Sequence, residues 1–257
     1  MFNFRSFFSS IPPVTKNLII INFIVWFALL VFSHRVALDI NDIGAIHYFG
    51  SPLFKPFQLI TYMFIHANFT HLFFNMFALF MFGITLERVL GSKKFLFYFI
   101  SCGIGAALVQ EGVFAIYINS LMSKAVTLLD TTESSILEII KTQGADAISQ
   151  GMNFSDPLLG RLNGLYNVGT VGASGAVYGI LLAFGMIFPN QAIYMMFIPI
   201  PIKAKYFVIG YGVIELLQGL AANSGDNVAH FAHLGGMIIG FLIILYWKKN
   251  GTLFNRF

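Results

Sequence analysis

Ala229-His230-Phe231-Ala232-His233-Leu234-Gly235-Gly236-Met237-Ile238-Ile239-Gly240 opens an apolar run that continues to Trp247. A bilayer core about 30 Å thick needs roughly 20 mostly apolar residues per helix, and residues 228–247 meet that length. At 100° per residue, His233, Gly236 and Gly240 fall within about 60° of one another. An imidazole above a glycine groove lets one membrane helix approach another closely. Ionisable side chains in such a helix are costly and need a reason.

The rest of the chain has the same character. Of 257 residues, 57% are apolar and 10% charged, with 30 Phe and a mean hydropathy of +0.78. Soluble domains carry about 25% charged residues. Disordered chains, disulfide scaffolds and ordinary cytosolic enzymes are therefore excluded, and Cys102, the single cysteine, can form no internal bridge. Six apolar stretches predict membrane helices over 17–33, 58–86, 94–118, 171–188, 206–222 and 228–247. The second is longer than a span requires, and its part from Phe57 to Phe69 suits a loop or interface. The expected fold is an all-α membrane protein, a single domain over 1–257 with an extramembrane insertion at 119–169 between the third and fourth helices. The first helix lacks a small-x-small cleavage site after its apolar run and reads as retained. The Pro-broken segment Ala192 to Lys205 reads as an inner-surface loop.

Basic residues orient the bundle. With the N-terminus inside, Arg5, Lys16, Arg88, Lys93, Lys94, Lys203, Lys205, Lys248, Lys249 and Arg256 lie inside. Arg35, Lys55, Lys124, Lys141 and Arg161 lie outside, ten against five of the 15 Lys and Arg. Both termini are expected in the cytoplasm, the insertion outside, and the host membrane is read as a bacterial plasma (inner) membrane. The net charge of +4 thus reflects topology, with no nucleic-acid partner expected.

Two more polar clusters accompany the histidines. Gly172-Ala173-Ser174-Gly175 begins the fourth span, with Tyr178 one turn on. As a string it also fits a helix-packing patch. A Gly-rich approach that turns into a helix at Ser174, however, leaves backbone N–H groups unpaired where the dipole favours negative charge. That suits a nucleophile whose attack creates an oxyanion, and His233 or His230 supplies a candidate base. In the second span, His66-Ala67-Asn68-Phe69-Thr70-His71-Leu72-Phe73-Phe74-Asn75 sets His71 and Asn75 on one face. Both can donate hydrogen bonds, as an oxyanion hole requires; interhelical hydrogen bonding is the plainer role. His66 lies about 140° away from His71 and is expected to precede the regular helix.

A metal centre is not expected: there is no H-E-x-x-H string, and no carboxylate sits at ligand spacing from these histidines. Glu111 and Glu215 lie in apolar stretches and would suit a proton-coupled transporter, or hydrogen bonds between helices. Asp226 is the one carboxylate near the outer ends of the second, fourth and sixth spans, about 10 Å along a helix from His233. A Ser–His dyad without a carboxylate is therefore expected.

Taken together, His71-x-x-x-Asn75, Gly172-x-Ser174-Gly175 and His233-x-x-Gly236-x-x-x-Gly240, in that order, resemble the rhomboid family of intramembrane serine proteases. The resemblance covers about residues 56–247 and extends to Gly83, Glu87 and Gly91. It implies a six-transmembrane-helix bundle and a Ser174–His233 dyad acting through an acyl-enzyme. His71, Asn75 and the Ser174 N–H would hold the oxyanion, and the residue matching Tyr178 packs under the histidine. Gly172, Gly175, Gly236 and Gly240 would support the site. No cofactor is implied; the partners are transmembrane protein substrates and the lipid bilayer, and oligomeric state is left open. The Trp-Arg pair of many members is here Phe57-Gln58. A catalytically silent client-binding protein of the same fold, or a small transporter, are the rival readings.

Overall fold

The computed structural model describes residues 8–32, 43–195, 198–221 and 229–254. Asp226, Arg5, Arg35 and Arg256 lie outside the described residues. The elements are α1 (Pro13–Phe32), α2 (Phe69–Leu90), α3 (Ser92–Leu128) and α4 (Glu133–Ile139, extended by a π-wound turn Ile140–Gly144 and by Ala145–Ser149). They are followed by α5 (Pro157–Asn167), α6 (Ser174–Ile187), the strands β1 (Ala192–Met195) and β2 (Ile198–Lys203), α7 (Ala204–Ala221) and α8 (His230–Lys249). Among the described residues, four helices are long and apolar enough to cross a membrane: α1, α2, α3 and α8.

Helix α6 has only 14 residues, yet nearly its whole surface is covered by protein. It is the centre of the bundle, between α3 and α8. Small residues allow this. A Cβ on Gly236 would lie 1.9 Å from the Gly175 carbonyl oxygen, and one on Gly179 would lie 2.6 Å from Cys102 Sγ. One on Gly240 would meet the Tyr98 hydroxyl at 2.2 Å. That hydroxyl instead donates to the Gly179 carbonyl at 2.7 Å. The glycine faces of α6 and α8 thus meet backbone to backbone.

Several expectations of element extent change. The 58–86 stretch is not one helix. Two short helical turns, Gln58–Thr61 and Tyr62–Phe64, end at extended Ile65, and α2 starts afresh where the Asn68 side chain accepts the His71 N–H. The break falls in the Phe57–Phe69 part expected to suit a loop or interface, and the Asn68 cap restarts the helix. Helix α3 continues past the expected end at 118 to Leu128, because residues 119–128 contain neither Gly nor Pro. At 1.5 Å per residue its 37 residues measure about 55 Å, more than a bilayer core. Its last turns join Ile136, Ile140, Leu162 and Tyr166 in a second apolar core. The expected loop 192–205 is an antiparallel two-stranded hairpin, Ala192 opposite Lys203, so the chain is not wholly α. A two-stranded ribbon leaves each strand one unpaired edge, which tolerates Pro199 and Pro201.

Polar side chains pin the ends. Glu87 is 2% exposed and its carboxylate accepts the Val14 and Thr15 N–H groups at 2.9 and 2.7 Å, capping α1 from α2. Gln58 donates to the Ile43 and Leu53 carbonyls and accepts the Lys55 N–H, folding residues 43–57 around itself. That segment reaches the approach to α6 through paired backbone bonds between Ile46 and Thr170.

Candidate active site

Ser174 is the first residue of α6, so its N–H is among those that no carbonyl of the same helix satisfies. Gly172 has φ of 129°, a region closed to most side chains, and donates its N–H to the Tyr62 carbonyl at 2.9 Å. The His71 ring occupies the space a side chain on Gly172 would need: a Cβ there would sit 2.7 Å from Cε1 and 2.8 Å from Nε2. The same point is 3.6 Å from Ser174 Oγ, so a side chain on Gly172 would meet the ring and the hydroxyl alike. Asn75 is buried one turn below and donates its Nδ2–H to the His71 carbonyl at 3.1 Å. His66 precedes α2, with its ring edge-on to His71 at 5.1 Å.

From α8, His233 Nε2 lies 2.8 Å from Ser174 Oγ. Its ring stacks on Tyr178, centroids 4.2 Å apart and planes within 6°. It is His233, and not His230, that reaches the serine; the His230 ring stands perpendicular to it, 6.4 Å away. Ser174, Tyr178, His233 and His71 therefore converge from three helices, with Gly172, Gly175 and Gly236 setting how closely their backbones approach.

One neighbour corrects the expectation that no carboxylate is within reach of the imidazole. Glu215 comes from α7, 5% exposed. Its Oε2 is 2.6 Å from His230 Nδ1 and 2.9 Å from His233 Nδ1, and the Tyr178 hydroxyl donates to its Oε1. The approach to His233 Nδ1 is close but off the N–H axis, a contact rather than an aligned hydrogen bond. Glu215 stands on the fifth span, outside the second, fourth and sixth spans whose carboxylates bear on the expected dyad. A local signal existed. Gly212-x-x-Glu215-x-x-x-Gly219 has the spacing of His233-x-x-Gly236-x-x-x-Gly240. A Cβ on Gly212 would meet Met237 at 3.3 Å, and one on Gly219 would meet Phe231 at 3.0 Å. Glu215 thus shares the face of α7 that packs on α8.

Glu215, His230 and His233 offer three donor atoms within 4.8 Å of one another, the arrangement among the described residues that could hold a metal. Their N···O separations are 2.6 and 2.9 Å. Ligands about 2.05 Å from a tetrahedral ion stand about 3.3 Å apart, so a metal would require the cluster to spread.

A model of the Rhomboid domain matches residues 54–127 and 147–250 of the chain. The chain is 29% identical over 242 residues to the rhomboid protease AarA of Providencia stuartii, spanning 90% of this chain and 70% of that protein. It is 25% identical over 198 residues to the mitochondrial Rhomboid protein 1 of Saccharomyces cerevisiae, 75% of this chain and 42% of that one. To the mitochondrial RHOMBOID-like protein 12 of Arabidopsis thaliana it is 25% identical over 209 residues, 80% and 48% of the two chains. The chain thus spans less than half of these two mitochondrial relatives.

Proposed function

This chain belongs to the rhomboid family, and from that premise we propose that it is an intramembrane serine endopeptidase cutting membrane-anchored proteins near the outer membrane face. The observation that carries this reading is the 2.8 Å approach of His233 Nε2 to Ser174 Oγ, at the N-terminus of a helix enclosed by protein. A hydroxyl is a weak nucleophile at neutral pH and needs a base that takes its proton as it attacks.

In this reading Ser174 Oγ attacks the scissile carbonyl carbon while its proton passes to His233 Nε2. The carbonyl π pair moves onto oxygen, and the Ser174 N–H, the His71 ring and Asn75 hold the resulting oxyanion. Collapse breaks the C–N bond, and the amine leaves with the proton from Nε2. A water then gives a proton to Nε2 and attacks the acyl ester; Ser174 departs and takes the proton back. The Tyr178 stack holds the imidazole plane throughout.

Six membrane helices, α1, α2, α3, α6, α7 and α8, with both termini in the cytoplasm and the 119–169 segment outside, complete the reading. The excess of Lys and Arg on the inner side supports that orientation. The short α6 fits because irregular backbone at membrane depth is tolerated where protein buries it. Substrates are transmembrane proteins, since a peptide bond in lipid must first leave helical geometry. The host membrane is a bacterial plasma membrane in this reading.

The test uses purified protein in liposomes with a membrane-anchored reporter. Ser174→Ala and His233→Ala should abolish both cleavage and labelling by a fluorophosphonate. Cleavage by Ser174→Ala at the unsubstituted rate would refute a serine mechanism. Absence of labelling and cleavage in the unsubstituted protein would favour a silent client binder.

A further inference from the structure

We propose that Glu215 is a positioning residue for His233, making the pair a hydroxyl–imidazole–carboxylate series whose third member comes from α7. The inference rests on the serine-endopeptidase reading above.

To accept the Ser174 proton, His233 Nε2 must be unprotonated, so the neutral ring carries its hydrogen on Nδ1. Which nitrogen is protonated is set by what the other faces. Glu215 Oε2 lies 2.9 Å from Nδ1, off the N–H axis, a negative group that favours the hydrogen on Nδ1 and stabilises the positive charge that builds on the ring when Nε2 gains a proton.

The carboxylate is itself held. Tyr178 donates to Oε1 and His230 Nδ1 stands 2.6 Å from Oε2. Tyr178 therefore supports His233 twice, through the stacked ring and through the carboxylate its hydroxyl grips. His230 Nδ1 is closer to Oε2 than His233 Nδ1 is, and it holds that oxygen off the axis of the His233 N–H.

Position argues the same way. Elsewhere α7 presents Ile209, Val213, Leu216, Leu217 and Leu220 outward, all well exposed. A glutamate on a helix of that kind is costly in lipid unless it is partnered. A structural hydrogen bond between helices needs only an amide or a hydroxyl. The acidic group is placed where an imidazole must cycle through a positive charge.

The test is Glu215→Gln in the full chain, because glutamine keeps the shape and can still bond Tyr178 and the histidines. Cleavage kinetics, the rate of fluorophosphonate labelling and the thermal midpoint are measured together, with Glu215→Asp and Ser174→Ala alongside. Replacing a triad carboxylate by its amide has cost up to about 10⁴-fold in kcat. The off-axis contact here places the expected loss nearer about 10²-fold. KM and the thermal midpoint should stay as in the unsubstituted protein, labelling should slow in step with kcat, and Glu215→Asp should recover part of the rate. Unchanged kcat in Glu215→Gln overturns the inference. So does a lost rate that follows a lowered thermal midpoint and returns wherever Asp or any stabilising condition restores the fold. An inactive Ser174→Ala beside a fully active Glu215→Gln removes this inference alone; an active Ser174→Ala removes the endopeptidase reading beneath it.

Discussion

Gly236→Ala should separate the two halves of the site without altering a polar side chain. A Cβ at residue 236 would lie 1.9 Å from the Gly175 oxygen, 2.7 Å from its carbonyl carbon and 3.2 Å from its Cα. All three are main-chain atoms of α6, so no rotamer change relieves the contact. Carbon and carbonyl oxygen rest at about 3.3 Å or more, so α6 and α8 must part by about 1.4 Å there. Ser174 adjoins Gly175, and His233 is one turn from Gly236. Carried to these neighbours undiminished, the shift stretches the 2.8 Å hydroxyl–imidazole contact to about 4 Å, outside hydrogen-bond range. Overpacking of this sort costs about 1–3 kcal/mol, or about 2–4 °C in thermal midpoint per kcal/mol for a chain of this size. A misplacement of about 1 Å costs about 10²-fold in rate. The assay pairs reporter cleavage at a temperature well below the transition with thermal unfolding. Gly210→Ala is the control, since a Cβ there meets nothing within 4 Å. Normal cleavage and an unshifted midpoint in Gly236→Ala would show that backbone contact between α6 and α8 does not set the site geometry.

Asn75→Ala and His71→Ala should each lower kcat by about 10²–10³-fold with little change in KM, the usual consequence of losing one oxyanion donor; a matching rise in KM instead would place them in ground-state binding. Tyr178→Phe keeps the stack on His233 but removes the donor to Glu215, so it should lose less activity than Tyr178→Ala, and equal losses would dismiss the separate role of the hydroxyl. Glu87→Gln removes the charge that caps α1, and the capping bonds together are worth about 2 kcal/mol. Thermal unfolding should report that loss while kcat below the transition stays unchanged. Asn167→Ala breaks bonds to the Ile140 carbonyl, the Asn163 side chain and the Ser51 hydroxyl. Limited proteolysis should then cut within 133–149 faster, with equal cutting rates counting against this ladder as the lock of α4.

What could be read from the chain alone divides by the range of the physics involved. Helix positions, the glycine groove under His233 and the N-terminal place of Ser174 are consequences of spacing along one segment. A residue three or four positions away is a neighbour whatever the tertiary fold. The break at Ile65–Asn68 falls within the Phe57–Phe69 part expected to suit a loop or interface, and His66 precedes the regular helix as expected; the two short helical turns before it are not marked by the sequence. The length of α3 is legible as a run without Gly or Pro through 119–128, but what that run packs on is not, because its apolar partners Ile136 and Leu162 lie farther along the chain. Phe57-Gln58 stands where many members carry Trp-Arg. Gln58 nevertheless organises the 43–57 segment through its own amide, a role that depends on where four backbone groups end up.

Glu215 makes the hydrogen bonds between helices expected of it; what the sequence does not reveal is its partners, and the reason is rotational. A span's register about its own axis is not written in its hydropathy when both faces are apolar, as on α7. Small residues carry that information instead: Gly212 and Gly219 mark the face pressed to α8, and whatever sits between them at helical spacing must point at α8 too. Glu215 does, and α8 presents His230 and His233 there. A polar group inside a membrane bundle is stable only where another element supplies its partner. It follows that the polar residues of such a chain should be paired with each other before any is assigned alone. Of the two glutamates in apolar stretches, Glu111 accepts the Phe49 N–H at 3.0 Å and anchors the 43–57 segment. In the proposed cycle it is Glu215 that stands beside a group which changes charge, His233, and this difference, not acidity as such, would separate a structural carboxylate from one that positions a base.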